Sequence, residues 1–137
     1  QEGLIAFVTK PIKGVYHFLV QAKLEAGNFD VVEFAPTVQC LTGNYRKGLN
    51  SYDVPFVETV LNADKSQVWY SSYQSEEGGR FFEEQNKSMI IEVDENFSVE
   101  VSDKYIWMTL NQMKTFLKFN NYLNIQSRSL LSTLKFI

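Results

Sequence analysis

The segment Ser75-Glu76-Glu77-Gly78-Gly79-Arg80-Phe81 sets two carboxylates, a glycine pair and a guanidinium side by side. Each part suits work on an anionic, oxygen-rich ligand. Gly78 and Gly79 carry no Cβ, so backbone N–H groups there can approach an anion closely. Arg80 offers a planar fork of donors that fits phosphate oxygens. Glu76 or Glu77 becomes a general base if desolvation raises its pKa toward neutrality. The competing reading is a plain solvated loop, since surface loops are built from the same polar residues.

His17 is the single histidine. Its ring suits acid–base work near neutral pH, although a lone strand histidine is more often structural than catalytic. Read as a strand, Val15–Glu25 puts Tyr16, Phe18, Val20, Ala22 and Leu24 on one face. The other face holds Val15, His17, Leu19, Gln21, Lys23 and Glu25. That second face is polar at one end and apolar near its middle, which suits the wall of a polar pocket. Gln39 and Cys40 close a further β-rich run. Gln39 reads as a strand-end pocket residue or as merely exposed. Cys40 reads as a small buried hydrophobe, with no second histidine or Cys-x-x-Cys beside it. Trp69, Tyr70 and Tyr73 alternate with polar residues and either stack on a base or sugar or pack internally. Arg128 follows an expected helix start, where an anion can sit. Walker A, GxGxxG, GxSxG and metal-spaced His/Cys patterns are absent from the sequence, which favours a mechanism without a metal.

Positioning these groups falls to elements that hydrophobic periodicity predicts. Gly3–Ile12 and Val15–Glu25 flank a Lys13-Gly14 turn and form a hairpin. Val31–Cys40 is a third strand, and Pro36 inside it implies an edge or a bulge. Leu41–Val54 reads as a loop, and Pro55–Ala63 as a short helix with Asp53 as its cap. Gln67–Gln74 and Ser88–Val93 are further strands, with polar Glu76–Asn86 between them. Thr109-x-x-Gln112 is a capping-box pattern, and Leu110, Met113, Phe116 and Leu117 then recur at helical spacing. Trp107, Met108, Leu110 and Met113 read as the core face of that helix. Asn120-Asn121 stops it, and Ser127–Phe136 forms a last helix. The expectation is one α+β domain over residues 1–137, a mixed β-sheet flanked by helices.

Composition narrows the function classes. The chain has 137 residues, 45% hydrophobic and 21% charged, enough to bury a core. A net charge of −3 argues against a nucleic-acid partner. No apolar run approaches a membrane span, and no signal peptide is visible. With a single cysteine, the chain reads as a soluble protein of the reducing cytoplasm.

Taken in order, several stretches resemble the NDP-hexose 2,3-dehydratase family of deoxysugar pathways. They are Gly14–Asn28 (GVYHFLVQAKLEAGN), Ala35–Cys40 (APTVQC), Asn44-Tyr45, Gln74–Phe81 (QSEEGGRF) and Gln85-Asn86. Met89–Glu92 (MIIE), Trp107–Gln112 (WMTLNQ) and Asn120–Leu131 continue the match. The resemblance implies a fold like that of Nudix hydrolases and a cytoplasmic homodimer. It implies a nucleoside-diphosphate sugar as substrate, typically a dTDP-linked 4-keto-6-deoxyhexose, with no cofactor. The hydrolytic Nudix pattern does not surround Glu76-Glu77, which argues against metal-dependent pyrophosphate hydrolysis. Family members carry two related repeats, and this chain resembles one.

At the matched positions, Glu77 or Glu76 is the candidate base, with His17 competing. Tyr45 or His17 is the candidate acid. Lys23, Gln39 or Gln21 would hold the keto oxygen, and Arg80 and Arg128 the diphosphate. Asn28, Ser75, Gly78, Gly79 and Asn86 complete the expected substrate contacts. The rival expectations are a nucleotide-sugar binding module without turnover and an interaction domain without a ligand.

Overall fold

The computed structural model describes residues 3–24, 32–41, 54–75 and 85–118. The expected Leu41–Val54 loop beyond its first and last residues, the Asp53 cap, the Asn120-Asn121 stop and the Ser127–Phe136 helix lie outside them.

Strands β1 (Gly3–Ile12) and β2 (Val15–Leu24) form the expected hairpin, with Ile12 opposite Val15 and Thr9 opposite Phe18. Lys13 and Gly14 both have positive φ, 52° and 80°, as a type I′ turn demands. Beyond Thr9 and Phe18 the two strands part. Strand β3 (Val32–Ala35) pairs with β2, and β4 (Val38–Leu41) pairs with β1. Pro36, which has no N–H to give a ladder, marks the crossing between them. The proline expected to sit at an edge or a bulge therefore separates two strands with different partners. Thr37 fills the fork. Its hydroxyl accepts from the Val8 N–H at 2.9 Å and donates to the Leu19 carbonyl, so two backbone groups at the split stay paired.

Strand β6 (Gln85–Glu92) lies parallel to β1, and β5 (Val68–Ser75) is antiparallel to β6. β6 thus begins three residues earlier than Ser88, taking in Gln85, Asn86 and Lys87. A register shift between Val68 and Tyr70 turns both Trp69 and Tyr70 toward the same apolar cluster. Strand β7 (Tyr105–Thr109) pairs with β2, with Gln21 opposite Tyr105 and His17 opposite Thr109. This corrects the helical reading of Trp107 and Met108. Strand alternation sends Met108 into one cluster and Trp107 against the other. The helix starts one residue after β7.

Both sheet faces are covered, which is why residues 3–8 of β1 and 89–91 of β6 read as unbroken apolar runs. Leu4, Ala6, Val8, Leu19, Met89 and Ile91 pack with Val57 and Val60 of helix α1 (Val57–Leu61). Phe7, Phe18, Val20, Ile90 and Met108 pack with Leu110 and Met113 of helix α2 (Leu110–Lys118). α1 is shorter than Pro55–Ala63 because Phe56 takes a left-handed φ of 67° before it. Rings of Phe97 and Tyr105, 5.8 and 5.1 Å away, hold Phe56 there. At α2 the capping box forms: the Thr109 N–H donates to Gln112 Oε1 at 2.8 Å, and the Gln112 N–H donates to Thr109 Oγ1 at 3.2 Å. Among the described residues no helix is long and apolar enough to cross a membrane.

Candidate functional site

Register brings four strand ends into one row. Leu41 of β4 stands opposite Gly3 of β1, Gly3 opposite Asn86 of β6, and Asn86 opposite Gln74 of β5. With neighbouring strands about 4.8 Å apart, the row spans roughly 14 Å. Segments 42–53 and 76–84 join the sheet here. They carry Tyr45 and the Glu76, Glu77, Gly78, Gly79 and Arg80 cluster, all of which lie outside the described residues, as do Asn28 and Arg128.

Asn86 sits against the β1 backbone at this row. A Cβ on Gly3 would stand 2.1 Å from Asn86 Oδ1, so the amide occupies the space that only glycine leaves. One step inward, Gln39, Ile5, Ser88 and Ser72 form a second cross-strand row. By alternation it lies on the same sheet face as Phe7 and Ile90. Ser88 is buried, Gln39 is half-buried, and Ser72 Oγ accepts from the Tyr70 hydroxyl at 2.9 Å. Gln39 and Asn86, found separately in the sequence, are therefore on one face at one end of the sheet. Ser72 and Ser88 join them. Only the strand register reveals those two, since each is an ordinary serine in its own strand.

The other candidates are spread more widely. Gln21 pairs with Ala35 and Tyr105 and shares its face with Leu19, opposite to the Gln39 face. Lys23 is opposite Glu33, near where the segment bearing Asn28 leaves β2. Ser75 is the last residue of β5, opposite Gln85. His17 stands opposite Lys10, seven residues along β1 from Gly3 and so about 23 Å from the row. Its Nδ1 is 2.7 Å from the Val15 carbonyl oxygen. The face expected to be a polar wall is interrupted by Leu19, which is fully buried in the core.

The aromatic candidates divide. Trp69 packs edge-on against Tyr16 at 4.8 Å, and its Nε1 donates to Glu92 Oε1 at 3.0 Å. The Glu92 carboxylate, with partial burial and a hydrogen bond, raises the Tyr16 pKa above its ordinary value. Tyr73 is 58% exposed, with Lys87 Nζ 5.5 Å from its ring centroid. Burial also raises the Cys40 thiol pKa, which suits a small packed side chain and not a nucleophile. Among the described residues no group of three or more His, Cys, Asp or Glu is placed to hold a metal. A cavity of about 480 Å³ opens beside β5 and β6, with Lys65, Lys87 and Ser71 as its polar lining.

The family model described as NDP-hexose 2,3-dehydratase matches residues 1–134. A dTDP-4-dehydro-6-deoxy-alpha-D-glucopyranose 2,3-dehydratase of Saccharopolyspora spinosa is 46% identical over 134 residues, covering 98% of this chain and 28% of that protein. A Streptomyces violaceoruber protein of the same name is 41% identical, covering 97% and 29% respectively. An Amycolatopsis orientalis protein of that name is 38% identical, covering 95% and 27%. The chain thus spans less than a third of the curated relatives it matches. Among solved structures, the complex of the mouse MUTYH C-terminal domain with human PCNA contains a chain that superposes with a TM-score of 0.53 at 11% identity. The match covers 98% of this chain and 86% of that one. A C. elegans Ap4A hydrolase gives a TM-score of 0.46 at 14% identity, covering 97% and 94%. The fold is of the Nudix type, as the sequence resemblance implies.

Proposed function

Since the chain belongs to the NDP-hexose 2,3-dehydratase family, we propose that it removes water across C2–C3 of an NDP-4-keto-6-deoxyhexose, typically dTDP-linked. The observation that carries this reading is the family match over residues 1–134, which includes the whole Gln74–Phe81 segment. The sheet-end row supports it by joining the anchor points of segments 42–53 and 76–84 beside Asn86.

The chemistry needs a base, an acid and an oxyanion partner. The 4-keto group acidifies the proton on C3. A base removes that proton, and the electrons form an enolate with its charge on the C4 oxygen. As the enolate collapses, the C2–O bond breaks and the hydroxyl leaves with an acid's proton as water. The resulting enol takes a proton at C2 and becomes the 3,4-diketo-2-deoxy sugar. We assign Glu77, or Glu76 beside it, as base and Tyr45 as acid. Gln39, on the face and end of the sheet that carry Asn86, is favoured over Gln21 and Lys23 for the keto oxygen. Arg80 and Arg128 bind the diphosphate. His17, on β2 opposite the far end of β1, is less suited to either proton transfer.

Glu77→Gln tests the assignment. It should abolish water loss while leaving dTDP affinity nearly unchanged; retained turnover removes Glu77 as base. The reading also makes the protein a cytoplasmic homodimer, and a monomer mass in sedimentation equilibrium would contradict that assembly. A second reading is a nucleotide-sugar binding repeat without turnover of its own. It is favoured by the 28% share of the Saccharopolyspora relative that the chain spans.

A further inference from the structure

The buried polar side chains among the described residues are Thr9, Lys10, Thr37 and Ser88. Burial strips a polar group of its hydration, so each should hold a hydrogen bond. Thr9 Oγ1 donates to the Ile91 carbonyl at 2.7 Å, and Lys10 Nζ donates to the Asp94 carbonyl at 2.8 Å. Thr37 bridges Val8 and Leu19. Ser88 is 4% exposed, and its hydroxyl has no partner among the described residues.

Strand register shows where that hydroxyl stands. Alternation along β6 puts Ser88 on the face of Asn86 and Ile90, the face that also holds Gln39. Ser72 of β5 is its direct cross-strand partner, which sets the two Cβ atoms about 4.5–5.5 Å apart. Ser72 Oγ accepts from the Tyr70 hydroxyl at 2.9 Å, and its own proton has no acceptor among the described residues. On the other side of Ser88 stands Ile5, half-buried, with Gln39 beyond it. Helix α2 packs over the β7 and β2 side of this face, and the two serines lie on its β6 and β5 side. Two hydroxyls one strand apart beside an aliphatic side chain match a pyranose, whose oxygens need hydrogen bonds and whose C–H face needs apolar contact.

We propose that Ser88 and Ser72 form the hexose subsite of the sugar nucleotide, each hydroxyl bonding one oxygen of the sugar while Ile5 meets its C–H face. The inference rests on the sugar-nucleotide reading and gives the hexose its place within it. A bound sugar oxygen supplies the partner that Ser88 lacks. The serines hold the ring and transfer no proton. Gln39, two strands or about 10 Å from Ser88, approaches the same ring from the other side with its longer side chain.

Calorimetry tests the proposal with two ligands: dTDP, and a dTDP-linked 6-deoxyhexose that carries a 4-hydroxyl and so cannot eliminate. Ser88→Ala and Ser72→Ala should each weaken the sugar nucleotide about fivefold, the scale of one neutral hydrogen bond, and leave dTDP affinity unchanged. Ser88→Ala should keep the wild-type melting temperature or raise it, because it removes a buried hydroxyl that has no bond to lose. A lower melting temperature would give Ser88 a structural bond and overturn the proposal. Wild-type affinity for the sugar nucleotide in the Ser72→Ala/Ser88→Ala double variant overturns the subsite alone. Equal losses of dTDP and sugar-nucleotide affinity overturn the assignment to the hexose. Sugar-nucleotide binding that depends on Ser88, without turnover of the 4-keto substrate, keeps the subsite and sinks the dehydratase reading. Binding of neither ligand by the wild-type chain overturns both.

Discussion

Thr37→Val should destabilise the fold far beyond the usual cost of so small a change. Valine matches threonine in shape, so packing is conserved and only the hydroxyl is lost. That hydroxyl is the partner of the Val8 N–H and the Leu19 carbonyl at the fork between β1 and β2. Val8 and Leu19 are both fully buried and Thr37 is 1% exposed, so water cannot replace it. Each orphaned buried backbone group costs about 1–3 kcal/mol, and the valine methyl recovers part of that. A net loss of about 3 kcal/mol follows, which in a chain of 137 residues lowers Tm by about 10 °C. Urea unfolding should show a lower midpoint with an unchanged m-value, since the surface exposed on unfolding is the same. Thr37→Ser keeps the hydroxyl and should lose only about 1 kcal/mol for its missing methyl. A Thr37→Val stability within about 0.5 kcal/mol of wild type, the range of a harmless surface change, would refute the role given to Thr37.

Gly3→Ala should drive the Asn86 amide from its position, since the new Cβ would stand 2.1 Å from Oδ1. The expected result is weaker sugar-nucleotide binding, checked by calorimetry, with little change in urea unfolding, because the displaced atom is the free end of a side chain that can rotate away. Gln112→Ala removes the side chain that accepts from the Thr109 N–H, and should cost about 1 kcal/mol of stability with no change in ligand affinity. Cys40, its pKa raised by burial, carries less thiolate at pH 8 than an ordinary cysteine, so it should react with iodoacetamide more slowly than glutathione does. The rate should climb as pH rises beyond the ordinary thiol range.

Local chemistry was the part of the fold most legible in the sequence. Lys13-Gly14 announced the hairpin, Thr109-x-x-Gln112 announced the helix start, and both formed as their residue types require. What escaped was long-range pairing. Tyr105–Thr109 has helix-compatible apolar spacing with Leu110 and Met113, but the open edge of β2 takes it as a strand. Pro36 was readable as an interruption, whereas the fork it allows depends on β1 and β2 parting 18 residues earlier in the chain at Phe18. The site followed the same rule. Gln39 and Asn86 could be picked as candidates, but their common face depends on both pairing with β1.

The most direct measurement of the central claim is turnover of a dTDP-4-keto-6-deoxyhexose by the chain in deuterium oxide, followed by mass spectrometry and NMR. The account predicts a product that has lost one water and carries solvent deuterium at C2, formed by the wild-type chain and not by Glu77→Gln. Unchanged substrate in the presence of a wild-type chain that binds dTDP would contradict it and leave the chain a binding repeat.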